Sequence, residues 1–484
     1  MGIKSMKLTD TEFRQEREKV LAEWPTGKEV DIDEAIEFHK SLPATKNWPR
    51  RLRAAKESGE TLLVTGMGHS TLEQQIELIR YAQDVGHADL LATSVDSLTR
   101  IHNYAGAQRG IDESLKSGQS VLNGFPIVNY GVSGTRKLIQ SVDVPVQMRF
   151  GASDPRLIEE IAFAGGHSAN GADALHSFWN YTGKLSPETV LRNFQYVYRL
   201  YGYYEERGVP TSVAIQGLYP SGSAPPSLSM AAALTEVLIA AEQGLKHIAL
   251  VFHGQGNMVQ DVGAARTLVN LGREYLDRFG YKDVETSLEF SLSLPRFPAE
   301  PPLAFAMMCL NCLDAWLCRA QVCVFRTTAE GKMICSKEEL AESYQCSKTI
   351  INLVKDQKVE LDSRALGVEA HMAEIETRAI LERVLDLGEG DLAIGTLSAI
   401  GSGVLDNPFG TNPYVAGKVL GARDSEGAVR YMECGNLPFT DDIIEFHREK
   451  IALRAKKLGH DLDYDTIADD ISAISAGFFL SHKP

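Results

Sequence analysis

Short apolar runs alternate with longer segments whose apolar residues recur every three or four positions. The runs are Leu62-Leu63-Val64, Leu90-Leu91-Ala92, Val121-Leu122, Val144 to Met148, Ser212 to Ile215, Ile248 to Phe252, Thr286 to Phe290 and Val322 to Phe325. Residues 165–171 hide a further candidate. Between them lie helical stretches such as Leu72–Ala82, Pro187–Arg207 and Asp261–Phe279. Alternating strand and helix implies a parallel sheet. About eight such units imply a (β/α)8 barrel of the TIM type, with one of the nine candidate strands lying outside it.

The flanks read differently. Residues 9–24 predict a helix that opens on a Thr9-x-x-Glu12 capping box, and a second follows at about 32–42. After about residue 335 a long polar helix at about 360–387 precedes a Gly-, Asn- and Pro-rich stretch, Gly401 to Gly435. The expected organisation is an N-terminal helical arm (1–58), a barrel (59–335) and a C-terminal helical and irregular module (336–484).

Composition narrows the function. The chain has 484 residues and a formal charge of −15, which argues against a nucleic-acid partner held by a basic face. Residues 1–10 carry no apolar core segment, so no signal peptide is expected. The apolar run Pro301 to Cys318 contains Asn311 and Asp314 and reads as a buried helix, so a cytoplasmic, membrane-free protein is expected. Six of the seven cysteines fall between Cys309 and Cys346. Those in the apolar run read as core filling in preference to a metal or redox site.

Barrel chemistry sits at the C-terminal ends of strands. Here those ends carry Gly66, Ser94 with Asp96, Asn123, Arg149, Gln216, His253, Glu289 and Arg326, with Arg100 close behind the second strand. Arg149 ends an apolar strand, where a guanidinium must find a partner. Its fork suits a carboxylate, and with Arg100 it points to a small acid substrate. The alternative is an ion pair with Asp96 or Asp154. No His-x-x-x-His helix, Gly-x-Ser-x-Gly elbow, phosphate loop or dinucleotide fingerprint is present. Such a barrel, lacking a visible base or metal, fits a borrowed cofactor.

Several stretches carry a resemblance: Trp24-Pro25-Thr26-Gly27-Lys28-Glu29-Val30, LNGFPIVNYG at 122–131, AAEQG at 240–244, GNMVQD at 256–261, GDLAIGT at 390–396 and NPFG at 407–410. In that order they resemble the epsilon subunit family of glutamate mutase (methylaspartate mutase), from the N-terminal arm to about residue 475. The resemblance implies an isomerase that uses adenosylcobalamin. The cobalt–carbon bond breaks homolytically, the adenosyl radical takes a hydrogen from substrate, and a carbon fragment migrates. It implies a small cobalamin-binding partner carrying Asp-x-His-x-x-Gly, a self-dimer within a heterotetramer, and no catalytic residue beyond the cofactor radical.

The resemblance also distributes roles. Arg100 and Arg149 match two of three carboxylate-gripping arginines, and Asn123 and Tyr181 match pocket positions. Glu330 matches the acid that holds the adenosyl ribose. Arg326 replaces a lysine near that ribose, and Ser94 and Gly68 fall on the cofactor side. The departures line the same pocket. Gly66 replaces the third arginine, and Gly171 replaces the acid facing the substrate ammonium. Ser177 replaces a tyrosine, Gln216 a phenylalanine and Ser291 a histidine. The altered pocket is expected to be roomier and to take an acid other than glutamate, with Asp173 the one nearby acid able to swing toward an ammonium. A non-catalytic paralogue and an unrelated barrel lyase stand as the alternatives.

Overall fold

The computed structural model describes residues 3–181, 183–220, 223–330 and 334–481. Its main sheet is wholly parallel, in the order β1-β9-β8-β7-β6-β5-β4-β3-β2. The strands are β1 (Leu62–Val64), β2 (Gly66–Met67), β3 (Leu91–Ser94), β4 (Val146–Arg149), β5 (Ala169–Asn170), β6 (Ser212–Ile215), β7 (His247–Gly254), β8 (Glu285–Leu292) and β9 (Val322–Val324). Only Thr65 separates β1 from β2. β1 pairs with β9 and β2 with β3, so this one run closes the sheet into a barrel of eight places.

The strand at 165–171 is therefore real, although only two residues long. Val121-Leu122 is not a strand. Leu122 packs on Ala107 and Ile111 of the helix Tyr104–Ser117, and the loop meets the end of β3 through an isolated Val95–Phe125 bridge.

Alternation sorts the strand residues into two faces. Val146 and Met148, Ile248, Leu250 and Phe252, and Leu288 and Phe290 join the large core shared with the surrounding helices. The other parity points into the lumen. The lumen floor is apolar: Leu62, Val64, Ala92, Ala169 and Val322 pack against Trp48, Leu52 and Ala55 of the helix Trp48–Ser58, which closes the N-terminal end. Ala214, Ala249 and Val251 form a second small patch. Above them the lumen turns polar.

The expected capping box is present on the helix Asp10–Leu21, and the long polar helix runs Ser363–Leu387. The stretch expected to be irregular contains one antiparallel pair, β10 (Val419–Arg423) with β11 (Val429–Cys434). Cys312, Cys318, Cys323 and Cys335 are buried and all seven cysteines are free thiols. Among the described residues no helix is long and apolar enough to cross a membrane.

Candidate active site

Gln147 and Arg149 lie two residues apart on β4 and so share its inward face. Arg149 Nη1 donates to Gln147 Oε1 at 2.8 Å and to Glu289 Oε1 at 2.9 Å. Glu289 belongs to β8, four places from β4 round an eight-place barrel, so this ion pair spans the lumen. Its carboxylate is fully buried, and Oε2 has no hydrogen-bond partner. The sequence offered Asp96 or Asp154 as the counter-charge. Asp154 is taken by Arg156, and Asp96 Oδ1 accepts the Leu98 and Thr99 amides at the start of the short helix Ser97–Arg100.

The two glycine substitutions in the pocket both lie against Arg149. A Cβ on Gly171 would stand 3.2 Å from Arg149 Cγ, and one on Gly66 would stand 3.3 Å from its Cδ and 2.9 Å from Ser94 Oγ. The space these glycines release is thus partly filled by the arginine itself. Asp173 is not available to replace the missing acid. It is fully buried and accepts the backbone N–H groups of His176, Gln216 and Gly217. Gln216 in turn donates through Nε2 to the Gly171 carbonyl at 3.0 Å. Ser177 is buried with an unpartnered hydroxyl, and Ser291 stands level with His253 and Val324 on the neighbouring strands.

Tyr181 ties the rest of the mouth together. Its ring lies over Gly151, where a Cβ would collide with it. Burial raises its phenol pKa, with Arg100, Tyr219, Arg326 and Glu330 all close enough to act on it. Arg100 donates through Nε to the Val95 carbonyl at 2.6 Å, and burial lowers its pKa. Arg326 bonds the Tyr219 hydroxyl and pairs with Glu330 at 3.2 Å. Asn123 is exposed, and its Oδ1 accepts the Ser97 amide at 3.0 Å, fastening its loop to the helix that carries Arg100. Gly68 and Gly124 let two loops touch backbone to backbone: a Cβ on Gly68 would stand 2.7 Å from Gly124 Cα.

Sequence reading missed Gln147, His176 and Tyr219. The signal for Gln147 was its place on the face of Arg149. His176 and Tyr219 sit in loops and a short helix after β5 and β6, where no periodicity marks them. The His176 and His253 rings stack 6.3 Å apart, and Tyr219 meets His253 edge-on at 5.5 Å. Burial, aided by Arg149, holds the His176 pKa down to about 4, and burial with the nearby positive charges puts His253 well below its usual value. Both rings are neutral at physiological pH. Among the described residues no cluster of His, Cys, Asp or Glu could hold a metal ion.

Comparison with known proteins assigns the chain. The family model for the methylaspartate mutase E chain matches residues 42–483. The chain is 40% identical over 480 residues to the glutamate mutase epsilon subunit of Desulfitobacterium hafniense, covering 99% of each chain. It is 38% identical over 480 residues to that of Treponema denticola, again covering 99% of each. A polar barrel mouth, three arginines on it and end-to-end similarity to such subunits agree, and the chain belongs to the methylaspartate mutase E chain family.

Proposed function

We propose that this chain is the substrate-binding catalytic subunit of an adenosylcobalamin-dependent carbon-skeleton mutase whose substrate is not glutamate. The observation that carries the reading is the gathering of Arg100, Arg149, Tyr181 and the Arg326–Glu330 pair round one barrel mouth in a member of this family. Bound adenosylcobalamin would supply a carbon-centred radical, so the chain itself needs no acid–base pair for that step.

The residues at the mouth fit such a group. Glu330 is exposed at the rim and offers carboxylate oxygens to a ribose diol, while Tyr219 steadies Arg326 beside it. Arg100 is anchored through Nε, and among the described residues its two Nη groups have no hydrogen-bond partner, which leaves them for a substrate carboxylate. Tyr181 is half exposed above Gly151 and would cover a bound acid. A small cobalamin-binding subunit seated over the mouth would exclude water. A self-dimer within a heterotetramer in the cytoplasm completes the proposal.

Glutamate suits this mouth poorly. Its ammonium would face Gly171, with Asp173 committed elsewhere, and a buried unpaired charge costs several kcal/mol. Reconstitution with the small subunit and adenosylcobalamin, followed by visible spectroscopy across a panel of acids, tests the reading. Cobalt–carbon cleavage is expected with some small acids and at most weakly with glutamate or 3-methylaspartate. Efficient conversion of glutamate would refute the altered substrate, and cleavage with no acid would refute the mutase.

A further inference from the structure

We propose that Cys309 and Cys346 are a modification site: a thiol pair that a hydroperoxide converts to a reversible disulfide across the seam between two packed helices.

Cys309 and Cys312 read alike in the sequence, as core filling in one apolar run. The structure separates them. Cys312 is buried, whereas Cys309, on the same helix Pro301–Leu317, is half-buried. Opposite it, on the helix Lys337–Val354, stands Cys346, also half-buried, with the two Sγ atoms in contact at 3.7 Å. A second pair, Cys312 with Cys323, stands at 3.9 Å, but both of its members are fully buried. The two pairs share proximity and differ in access, and access decides which thiol an oxidant reaches. Cys434 has the converse setting: it is half-buried and bonds no other thiol among the described residues. Only Cys309 and Cys346 combine a partner sulfur with an open side. The chain between them holds β9, Arg326 and Glu330, so a bond here would tie together the two helices whose connection carries the Arg326–Glu330 pair to the mouth.

The two sulfurs take different parts. Burial, and then Cys309 beside it, pushes the Cys346 thiol up to about 12, so Cys346 keeps its proton at neutral pH and the first oxidation falls on Cys309. There the sulfur takes the terminal oxygen of the hydroperoxide. The O–O bond breaks, a sulfenic acid forms, and the thiol proton leaves with the departing alcohol or water. Cys346 Sγ then attacks the sulfenic sulfur. The S–S bond forms, the S–O bond breaks, and the hydroxyl leaves as water with the proton of Cys346. One peroxide gains two electrons, one from each sulfur. A protonated thiol is a slow attacker in the open, and the contact between the two sulfurs offsets that.

The full chain, reduced, desalted and kept folded, is exposed to hydrogen peroxide; its thiols are then alkylated in denaturant and mapped by mass spectrometry. A Cys309–Cys346 cross-linked peptide pair is expected, reversed by dithiothreitol, with Cys312 and Cys323 oxidised at least about tenfold more slowly. Cys346→Ser should leave Cys309 as a sulfenic acid that dimedone captures, and Cys309→Ser should slow the oxidation of Cys346 by at least about tenfold. Cross-linking of Cys312 to Cys323 or to Cys346 in place of the expected pair, oxidation of Cys434 while Cys309 and Cys346 stay reduced, or no reaction at any thiol overturns the proposal. If either variant does not fold, the cross-link map of the native chain decides. None of these readouts depends on the mutase reading.

Discussion

Arg149 separates what a sequence can say about a residue from what it cannot. A guanidinium ending an apolar strand must meet an anion, and that much is readable from QMRFG alone. The anion is Glu289, 140 residues away on the far wall, and only closure of the sheet makes the two neighbours. The same holds for Gly66 and Gly171, legible as departures from a family pattern but not as two walls of one arginine's groove. Arg149→Lys keeps a positive charge opposite Glu289 and loses the planar fork. Hydrogen bonds to charged groups are worth about 1.5–3 kcal/mol each, so a loss of at least about tenfold in acid affinity or turnover is expected with the fold retained. Native-like kinetics in that variant would make Arg149 purely structural. Gly171→Ala is a milder probe. Its Cβ would sit 3.2–3.4 Å from Arg149 Cγ, Cζ and Nε, so the arginine must yield by a few tenths of an ångström. Weaker acid binding with an unchanged melting temperature is expected, and a large fall in melting temperature would show that the glycine serves the fold instead.

At the level of elements, long periodic segments were readable and short ones were not. β6, β7 and β8 present apolar runs with one face to the helices, which is the signal alternation provides. β5 is Ala169-Asn170, a two-residue strand followed by Gly171, and carries no such run; its place comes from its neighbours β4 and β6. Val121-Leu122 shows the converse, an apolar pair buried by a loop. The helix Trp48–Ser58, at the end of the expected arm, packs against the barrel floor. Trp48 is fully buried there, and replacing so large a core side chain by alanine costs about 3–5 kcal/mol. Trp48→Ala should lower the melting temperature markedly; a change within error would mean the floor is not needed for closure. The joint behind β5 adds a pH signature. Glu159 is fully buried, accepts from the Tyr201 hydroxyl at 2.7 Å and from the Asn170 amide, and burial lifts its carboxyl from 4.5 to about 8. A carboxyl whose folded pKa is raised holds its proton longer in the folded state. Its contribution is complete below about 4.5 and is lost as pH climbs through 8. Glu159→Gln cannot titrate, so its melting temperature should gain on that of the native chain across this interval. Parallel curves would show that Glu159 ionises normally.

For the molecule as a whole, the proposed division of labour leaves the ligand for cobalt to a partner subunit. The resemblance implies a cobalamin subunit that grips the metal through the histidine of Asp-x-His-x-x-Gly, and none of the twelve histidines in the sequence stands in that setting. The structure adds how several of them are engaged. His69 Nε2 bonds the Cys335 carbonyl, His102 Nε2 bonds the Asp154 carbonyl, and His253 Nδ1 bonds Ser293 Oγ while the ring is buried. A neutral imidazole locked into such a bond has one nitrogen left, and on His253 that nitrogen is sealed from solvent. Around the mouth, arginines and carboxylates predominate, which suit a ribose and an acid and not a soft metal centre. The isolated chain is therefore expected to bind adenosylcobalamin weakly, and to acquire tight binding only when a small subunit with the Asp-x-His-x-x-Gly motif is added. Calorimetry with and without that subunit measures the difference directly. A tight one-to-one complex of cofactor with the chain alone would place a cobalt ligand on this barrel and remove the need for a partner.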